Sequence, residues 1–318
     1  MRVVVTGANG FVGRPCCKAL TEAGHLVTAV VRTPARGEGL AAERVVPLGD
    51  LTARTEWAHV LAGADCIVHL VARTHVLSEN KAGADAVYNA ANVGVLEGLA
   101  EAALRAGVSR LVFVSSIKVN GEATRGTTFT AADAPAPEDA YGRSKAAAEQ
   151  RLREIAPRGG MDFVILRPPL MYGADVRGNM VRLFGLVEKG VPLPFASIRN
   201  ARDILSVSAF ADLIALAVAS PEAKNRVFLA RDGATVSTPA LVQAIATALG
   251  RKARLVPFPP AVLAAAGRWT GHEGEVQRLI GDLEIDDTET RTRLGWKPRL
   301  GMSEALAETA EWFKMRRP

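Results

Sequence analysis

The chain has 318 residues, of which 48% are hydrophobic and 23% charged, and its formal net charge is +6. This composition is ordinary for a soluble globular protein with one large or two smaller domains. The basic residues are scattered and no apolar run approaches about 20 residues, so we expect no nucleic-acid-binding stripe and no membrane span. Three cysteines without metal-ligand spacing predict no metal and favour a reduced, cytoplasmic setting. Met1 leads directly into an apolar run, so we expect no signal peptide.

Short apolar runs rich in β-forming residues alternate with helical patterns over the first half of the chain. The predicted strands are 2–6, 26–31, 44–48, 66–70, 110–115 and 162–167, and the predicted helices are 11–23, 55–62, 85–106 and 141–155. Each predicted strand is a continuous apolar run, as in a sheet that is covered on both faces. The order predicts an α/β fold with a doubly wound parallel sheet.

The rhythm changes after Pro168 and Pro169. Helices are predicted at 177–189, 209–219, 238–249, 262–268, 273–279 and 303–315, a strand at 226–230, and a short strand at 254–257. We therefore divide the chain into a sheet domain, residues 1–168, and a smaller, mostly helical lobe, residues 169–318. The lobe is expected to be interleaved with returns to the sheet.

A glycine-rich turn at 7–13, Gly-Ala-Asn-Gly-Phe-Val-Gly, joins the first predicted strand to the first predicted helix. Gly7 permits a tight turn, Gly10 lets the backbone approach a pyrophosphate, and Gly13 lets the helix pack closely on the strand. The N-terminus of the helix then meets the anion. In this strand–turn–helix context the turn predicts a dinucleotide cofactor, although a merely tight βα turn also uses glycine.

The end of the second predicted strand bears on the choice between NAD and NADP. An acidic residue there binds the ribose 2′-OH of NAD, but residues 29–33 read Ala-Val-Val-Arg-Thr. Since Arg32 suits a 2′-phosphate, the sequence favours NADP, although an arginine stacked on the adenine edge fits either cofactor. Asp50 and Leu51, after the third predicted strand, are placed to meet the adenine; an ordinary loop aspartate is the alternative.

Tyr141 and Lys145 stand four residues apart at the start of a predicted helix, so they share one of its faces. A phenol has a pKa near ~10 and is a poor acid or base at neutral pH, and a nearby ammonium lowers that pKa. The pair therefore suits general acid–base catalysis. The same spacing is common on solvated helix faces, so its meaning depends on the rest of the chain.

Together these segments resemble the extended short-chain dehydrogenase/reductase family, in its NAD-dependent epimerase/dehydratase branch that acts on nucleotide-sugars. The resemblance covers nearly the whole chain. The similar segments are 6–13 (Thr-Gly-Ala-Asn-Gly-Phe-Val-Gly), 49–51 (Gly-Asp-Leu), 69–72 (His-Leu-Val-Ala), 89–94 (Asn-Ala-Ala-Asn-Val-Gly), 114–116 (Val-Ser-Ser) and 166–173 (Leu-Arg-Pro-Pro-Leu-Met-Tyr-Gly). The resemblance implies a Rossmann dinucleotide-binding domain at 1–168 and a substrate lobe at 169–318.

The resemblance also assigns roles to residues at matching positions. Ser116 hydrogen-bonds the sugar C4 oxygen and the phenol of Tyr141, with Ser115 as the second choice. Tyr141 exchanges the proton on that oxygen, and Lys145 lowers the phenol pKa and holds the nicotinamide ribose. The expected cofactor contacts are Gly7, Asn9, Gly10, Phe11, Val12, Gly13, Arg32, Asp50, Leu51, Leu70, Ala72, Asn92, Ser115, Tyr141, Lys145 and Pro168.

The substrate lobe is expected to grip the diphosphate of a UDP-sugar through charge-assisted contacts. By resemblance, Arg202 is the diphosphate arginine and Asn179 contacts the nucleotide-sugar. Arg278 is a weaker candidate for a second phosphate contact. Lys118 and His75 are expected to line the sugar pocket, with a plain structural histidine as the alternative for His75.

The segment after Ser116 departs from the family pattern. Residues 117–121 read Ile-Lys-Val-Asn-Gly, where epimerases of the family usually end in Val-Tyr-Gly. This departure resembles a subgroup tied to bacterial surface-polysaccharide synthesis. With Arg32, it makes an NADPH-dependent reductase of a UDP-4-keto-6-deoxy-N-acetylhexosamine the first hypothesis.

Three other functions are weighed against the reductase. An isomerase, the UDP-hexose 4-epimerase acting on UDP-glucose or UDP-GlcNAc, is the main alternative. A dehydratase is less favoured because Ile117 and Lys118 replace its Asp-Glu pair. A non-catalytic NAD(P)-binding protein would share the fold, but the Ser116–Tyr141–Lys145 set argues against it. The resemblance also implies a homodimer through helices 85–106 and 141–155, and neither a nucleic-acid nor a membrane partner is expected.

Overall fold

A parallel sheet runs through the computed structural model, which describes residues 1–73, 81–233 and 235–316. Within those residues the strands are β1 Arg2–Thr6, β2 Leu26–Val31, β3 Arg44–Pro47, β4 Cys66–His69, β5 Arg110–Val114, β6 Asp162–Arg167, β7 Leu170–Tyr172, β8 Ile204–Ser206 and β9 Arg226–Leu229. The main sheet has the order β3-β2-β1-β4-β5-β6-β9, and all of its strand pairs are parallel. The order reverses between β1 and β4, and in such sheets the ligand crevice lies beyond the carboxyl ends of those two strands.

Helices cover both faces of this sheet. The α-helices of the described residues, including those of the later lobe, are α1 Gly13–Glu22, α2 Ala58–Leu61, α3 Lys81–Tyr88, α4 Val95–Arg105, α5 Ala140–Ile155, α6 Asn179–Glu188, α7 Val207–Ala219, α8 Thr238–Leu249, α9 Pro260–Thr270, α10 Glu273–Ile280, α11 Thr288–Leu294 and α12 Met302–Met315. Alternate residues of the strands point to opposite faces, which explains the two separate apolar cores. Val3 and Val5 of β1 pack with α1 and α7, whereas Val4 packs with α4 and α5.

The later part of the chain builds a smaller body around a third apolar cluster. Helices α6, α8 and α12 meet there, and the short parallel pair β7–β8 lies beside them. Strand β9 returns to the main sheet and pairs with β6, with Val164 opposite Arg226. The doubly wound sheet and the helical C-terminal part predicted from the sequence are therefore confirmed.

Several elements differ from the prediction at their ends or in kind. Helix α1 begins at Gly13, because residues 7–12 form the glycine turn. The predicted helix 85–106 is α3, a π-helical turn Asn89–Gly94, and α4. The predicted strand 254–257 is wrong: it is an isolated bridge between Leu193 and Leu255. No helix among the described residues has the length and apolar character needed to cross a membrane.

Candidate active site

The turn between β1 and α1 lies at the crevice and brings backbone close to backbone. Gly7 has a φ of 72°, and the Gly10 N–H donates to the Gly7 carbonyl at 2.9 Å. A Cβ on Gly13 would lie 2.2 Å from the Gly7 oxygen, so a larger residue would push the helix away from the strand. The first turn of α1 carries no acidic side chain and no side-chain cap. These features fit the pyrophosphate of a dinucleotide, which helix N-termini attract.

A charged pair joins the segments after β2 and β3, where the sequence analysis expects the adenosine of the cofactor. The Arg32 Nε lies 2.8 Å from the Asp50 Oδ1, and the two side chains are 70% and 80% exposed. The end of β2 has no acidic residue, but Asp50, in the segment after β3, places a carboxylate beside it. Leu51, the next residue, packs against the core under the sheet.

The three predicted catalytic side chains meet at the carboxyl end of β5. Helix α5 is capped by Asp139, which accepts from the Gly142 N–H at 2.6 Å, and this cap places Tyr141 in the first turn. Lys145 is 1% exposed, donates to the Val114 carbonyl at 2.8 Å, and lies 4.5 Å above the Phe113 ring. The Ser116 hydroxyl lies close enough to the Tyr141 phenol to lower its pKa.

Burial sets the protonation of this group. Loss of solvent lowers the pKa of Lys145 to about 7, and the charge of Glu149 opposes that change. Burial is also the largest cause that raises the pKa of Tyr141, followed by Asp139 and Tyr88, with the Ser116 hydroxyl opposing. Burial thus decides the net direction for the Tyr141 phenol, and the expectation that Lys145 lowers the phenol pKa stays a prediction. Both groups are desolvated together, so each is driven toward its neutral form.

The ends of β1 and β4 are joined beneath the site. The His69 Nδ1 lies 2.8 Å from the Thr6 hydroxyl, and its ring stacks on Phe113 with centroids 6.0 Å apart. Burial, and then the charge of Lys145, lower the pKa of His69 to about 3. The histidine is therefore neutral at physiological pH and serves as a packed support for the floor of the crevice.

Asn92 connects the loop after β4 to the catalytic helix. Its Oδ1 accepts from the Arg73 N–H at 2.8 Å, and its Nδ2 donates to the Ser144 hydroxyl at 2.9 Å. It is buried within the π-helical turn, a local widening that is often found at functional sites. The loop thus held carries Leu70 and Ala72, both half-buried at the edge of the crevice.

Ser115 and Ser116 have different partners. The Ser115 hydroxyl donates to the Glu149 Oε1 at 2.5 Å, and Arg167 binds the same carboxylate through Nε at 2.9 Å and Nη2 at 2.6 Å. Arg167 also donates to the Asn120 Oδ1 at 2.9 Å. The Ser115 hydroxyl is therefore committed to a buried network, which leaves Ser116 as the hydroxyl at Tyr141.

The backbone beside Ser116 is held from two directions. The Pro168 carbonyl accepts from the Ile117 N–H at 3.0 Å, and the Ser116 Oγ accepts from the Lys118 N–H at 3.3 Å. The Lys118 ammonium lies 2.6 Å from the Glu122 Oε1 and 2.5 Å from the Asp139 Oδ2. Lys118, predicted to line the sugar pocket, is thus bound by two carboxylates, one of which caps α5.

Two predicted substrate arginines meet in the lobe. Arg202 is half-buried and donates to the Gly281 carbonyl at 2.9 Å; burial, and then the charge of Arg278, lower its pKa. The Arg278 Nη1 lies 3.8 Å from the Glu122 Oε2. Two neighbouring guanidinium groups suit the two charges of a diphosphate.

The other predicted substrate residues are Asn179 and His75. Asn179 is exposed as the first residue of α6. His75 lies outside the described residues. Across the described part of the chain, no three His, Cys, Asp or Glu side chains cluster as metal ligands would.

Residues 3–230 match the model of the NAD dependent epimerase/dehydratase family. The chain belongs to this family. A relative, UDP-glucose 4-epimerase of Vibrio cholerae, is 38% identical over 315 residues, which cover 98% of this chain and 95% of that protein. A dTDP-glucose 4,6-dehydratase of Streptomyces niveus is 27% identical over 333 residues, 99% of this chain and 93% of that protein.

Solved structures of similar fold agree with the family. MoeE5 in complex with UDP-glucuronic acid and NAD has a TM-score of 0.80 and 25% identity, with 100% of both chains covered. MoeE5 in complex with UDP-glucose and NAD has a TM-score of 0.79 and 26% identity, with 99% of each chain covered. The resemblance inferred from the sequence is confirmed: the protein is an enzyme of the NAD-dependent epimerase/dehydratase family that acts on sugar nucleotides.

Three residues of the site were missed in the sequence. Asp139 precedes α5 and is a preferred N-cap type, a signal that was available. Glu149 stands four residues after Lys145 and therefore on the same helix face. Glu122 stands only four residues after Lys118, but its second partner, Arg278, comes from the distant α10 and gave no signal.

Proposed function

We propose that this enzyme is a UDP-hexose 4-epimerase that retains NAD through the catalytic cycle. The observation that carries the proposal is that the Ser116 hydroxyl, the Tyr141 phenol and the buried Lys145 come together at the sheet edge that also bears the glycine turn. The similarity to the UDP-glucose 4-epimerase of Vibrio cholerae along nearly the whole chain supports it. The sequence analysis placed the 4-keto reductase first, and this relative favours its alternative.

The residues have the following roles in the proposed reaction. Ser116 holds the C4 oxygen of the sugar within reach of the Tyr141 phenol. Tyr141 removes the proton from that oxygen in the first half-reaction and returns it in the second. When bound, NAD supplies the hydride acceptor. The ketosugar must then turn in the site, so that its other face is reduced and the C4 configuration is inverted.

Lys145 makes the phenol usable as a base. The pKa of Tyr141 is raised by burial and that of Lys145 is lowered to about 7, so near neutral pH a large share of Lys145 is an uncharged amine, one helical turn from a neutral phenol. If the amine takes the phenol proton, phenolate and ammonium form together and stabilise each other. The buried net charge of the pair does not change, which keeps the desolvation cost below that of a lone phenolate.

The Arg32–Asp50 pair supports NAD over the NADP favoured by the sequence. An arginine that is already neutralised by a carboxylate at 2.8 Å is a weaker site for a 2′-phosphate. The Asp50 carboxylate is instead available to accept from a ribose 2′-OH. The MoeE5 complexes, which contain NAD, agree with this choice.

The test uses the purified protein without added cofactor. It is incubated with UDP-glucose and, separately, with UDP-GlcNAc, and the 4-epimers are separated by chromatography. The nucleotide released on denaturation is identified by its mass. We expect interconversion of at least one pair and release of NAD, and Tyr141→Phe should lower kcat by roughly 10²–10⁴-fold because the proton-transfer group is lost.

A second incubation tests the reductase directly. UDP-4-keto-6-deoxy-GlcNAc is supplied with NADPH, and the absorbance of NADPH is followed. Stoichiometric consumption of NADPH, with no 4-epimer formed in the first incubation, would establish the reductase and overturn the epimerase.

A further inference from the structure

Helix α9 turns an apolar face to solvent. Its buried side is marked by Gly267, where a Cβ would lie 2.8 Å from the Val276 Cγ2 of α10, and Leu263 and Ala264 are half-buried beside it. With 3.6 residues per turn, the opposite side of the helix faces away from the protein. Apart from Arg268, the exposed residues of that side are apolar: Ala261, Val262, Ala265, Ala266 and Trp269. A helix that is apolar on both sides is normally buried on both sides.

Large side chains extend this exposed surface toward the N-terminal end of the helix. Trp269 is 95% exposed and Val262 48%, while Val256 and Phe258, in the segment leading into α9, are 41% and 37% exposed. We call these four residues the α9 face. Such a concentration of exposed apolar side chains is typical of an interaction surface.

The charge around the α9 face is positive. Residues 251–270 contain Arg251, Lys252, Arg254 and Arg268, all exposed, and no aspartate or glutamate. The packed neighbour α10 brings Glu273 and Glu275 in its first turn. The Glu275 carboxylate is paired with Arg182 at 3.9 Å, and the His272 Nδ1 lies 3.8 Å from it. The connection after α6, which pairs with this segment, adds the exposed Lys189.

We propose that the α9 face attaches the enzyme reversibly to an anionic phospholipid surface. Basic residues that surround exposed Trp, Phe and Val side chains are the composition of interfacial membrane segments. Indole and phenyl rings insert at the headgroup level, where one end is apolar and the other is wet. Each Lys or Arg near an anionic leaflet raises partitioning by roughly fivefold.

The size of the face favours a lipid surface over a protein partner. Helix α9 has 11 residues, so it is about 16 Å long, and the four side chains of the α9 face present on the order of 400 Å² of accessible surface. A stable protein–protein interface buries roughly 800 Å² per partner. Its largest side chain, Trp269, is 95% exposed near the C-terminal end of the helix, which suits insertion into a fluid layer rather than a preformed socket.

The attachment is tested with the full-length enzyme and sedimented vesicles. Vesicles of phosphatidylcholine with phosphatidylglycerol should carry the protein down, those of phosphatidylcholine alone much less, and added salt should release it. Trp269→Ser should weaken vesicle binding at least tenfold. In the wild type, the fluorescence emission of Trp269 should shift to the blue when vesicles are added. Arg251→Gln with Lys252→Gln should weaken it by roughly 25-fold.

Two matched controls separate this face from general adsorption. Leu216→Ser removes another exposed apolar side chain, 38% exposed on α7, and Lys18→Gln removes an exposed cation on α1; both should bind as the wild type does. Epimerase turnover in solution should be unchanged in all variants. Equal sedimentation of the Trp269 variant, or no sedimentation of the wild type, would overturn the proposal. A lower oligomeric mass for Trp269→Ser by light scattering would instead assign the face to a second copy of the chain.

Discussion

Glu149→Gln is the substitution whose effect follows most directly from the structure. Glu149 and Arg167 form a buried ion pair with side chains 4% and 2% exposed, and Ser115 donates to the same carboxylate. Glutamine has the same shape, but it removes the charge and replaces one acceptor oxygen by an amide that cannot accept from Arg167. The guanidinium is then left as a buried charge without compensation. Breaking a buried pair in this way costs about 3–5 kcal/mol.

The expected loss can be converted into a melting temperature. At about 2.1 cal/mol/K per residue, the unfolding entropy of a chain of 318 residues is about 0.7 kcal/mol/K. A loss of about 3–5 kcal/mol therefore lowers Tm by about 4–8 °C, measured by calorimetry or circular dichroism. Replacing both partners, Glu149→Leu with Arg167→Met, should recover more than half of that loss, since no buried charge remains.

Glu154→Gln is the matched control on the same helix. Glu154 also pairs with an arginine, Arg151, but both side chains are partly exposed, at 40% and 38%. Water screens such a pair, so Tm should stay within about 1 °C of the wild type. If Glu149→Gln and Glu154→Gln lowered Tm equally, or if the double replacement were less stable than Glu149→Gln alone, the account of the buried pair would be refuted.

Two further predictions concern the floor and the glycine turn of the crevice. Gly13→Ala should lower both Tm and the amount of NAD retained through purification, because its Cβ would lie 2.2 Å from the Gly7 oxygen. Gly185→Ala, in mid-helix with open space around it, should instead raise the free energy of unfolding by about 0.5–1 kcal/mol. Equal effects of the two substitutions would contradict the close approach at Gly13. The pKa of His69 is lowered from 6.5 to about 3, so its contribution to stability is complete above pH 6.5 and is lost as the pH falls toward 3. Urea unfolding of His69→Asn should therefore show a shallower decline over that window than the wild type, and parallel declines would exclude the histidine as the cause.

The parts of the site that depend on neighbours in sequence were predictable. The glycine turn is a local solution to a tight βα connection, and the Tyr141–Lys145 pair needs only one helical turn, so both follow from spacing. Each central strand is a short apolar run with a turn residue after it. The shortest strands, β7 and β8, have three residues each, which is too short for an apolar run or an alternating pattern to be recognised in the sequence.

The parts that depend on distant segments were not predictable. Asp50 reaches Arg32 only because β3 lies beside β2, and this contact changed the cofactor inference. The pKa directions of Tyr141 and Lys145 depend on burial, which a pattern of residue types does not contain. The unusual Lys118 and Asn120 gave a substrate hypothesis from the sequence, but their side chains bind Asp139 and Arg167 and thus brace the catalytic segment.

The shared carboxylate of Glu122 connects the active-site segment with the arginine pair of the lobe. It contacts Lys118, which braces the cap of α5, and also Arg278, which stands beside Arg202. An anion drawn to Arg278 competes with Glu122, and Glu122 is then left to Lys118 alone. Anion binding by Arg278 and the contact between Glu122 and Lys118 are therefore linked, and each affects the other by the same free energy. A substrate that lacks one phosphate of the diphosphate should therefore show a lower kcat as well as a higher KM.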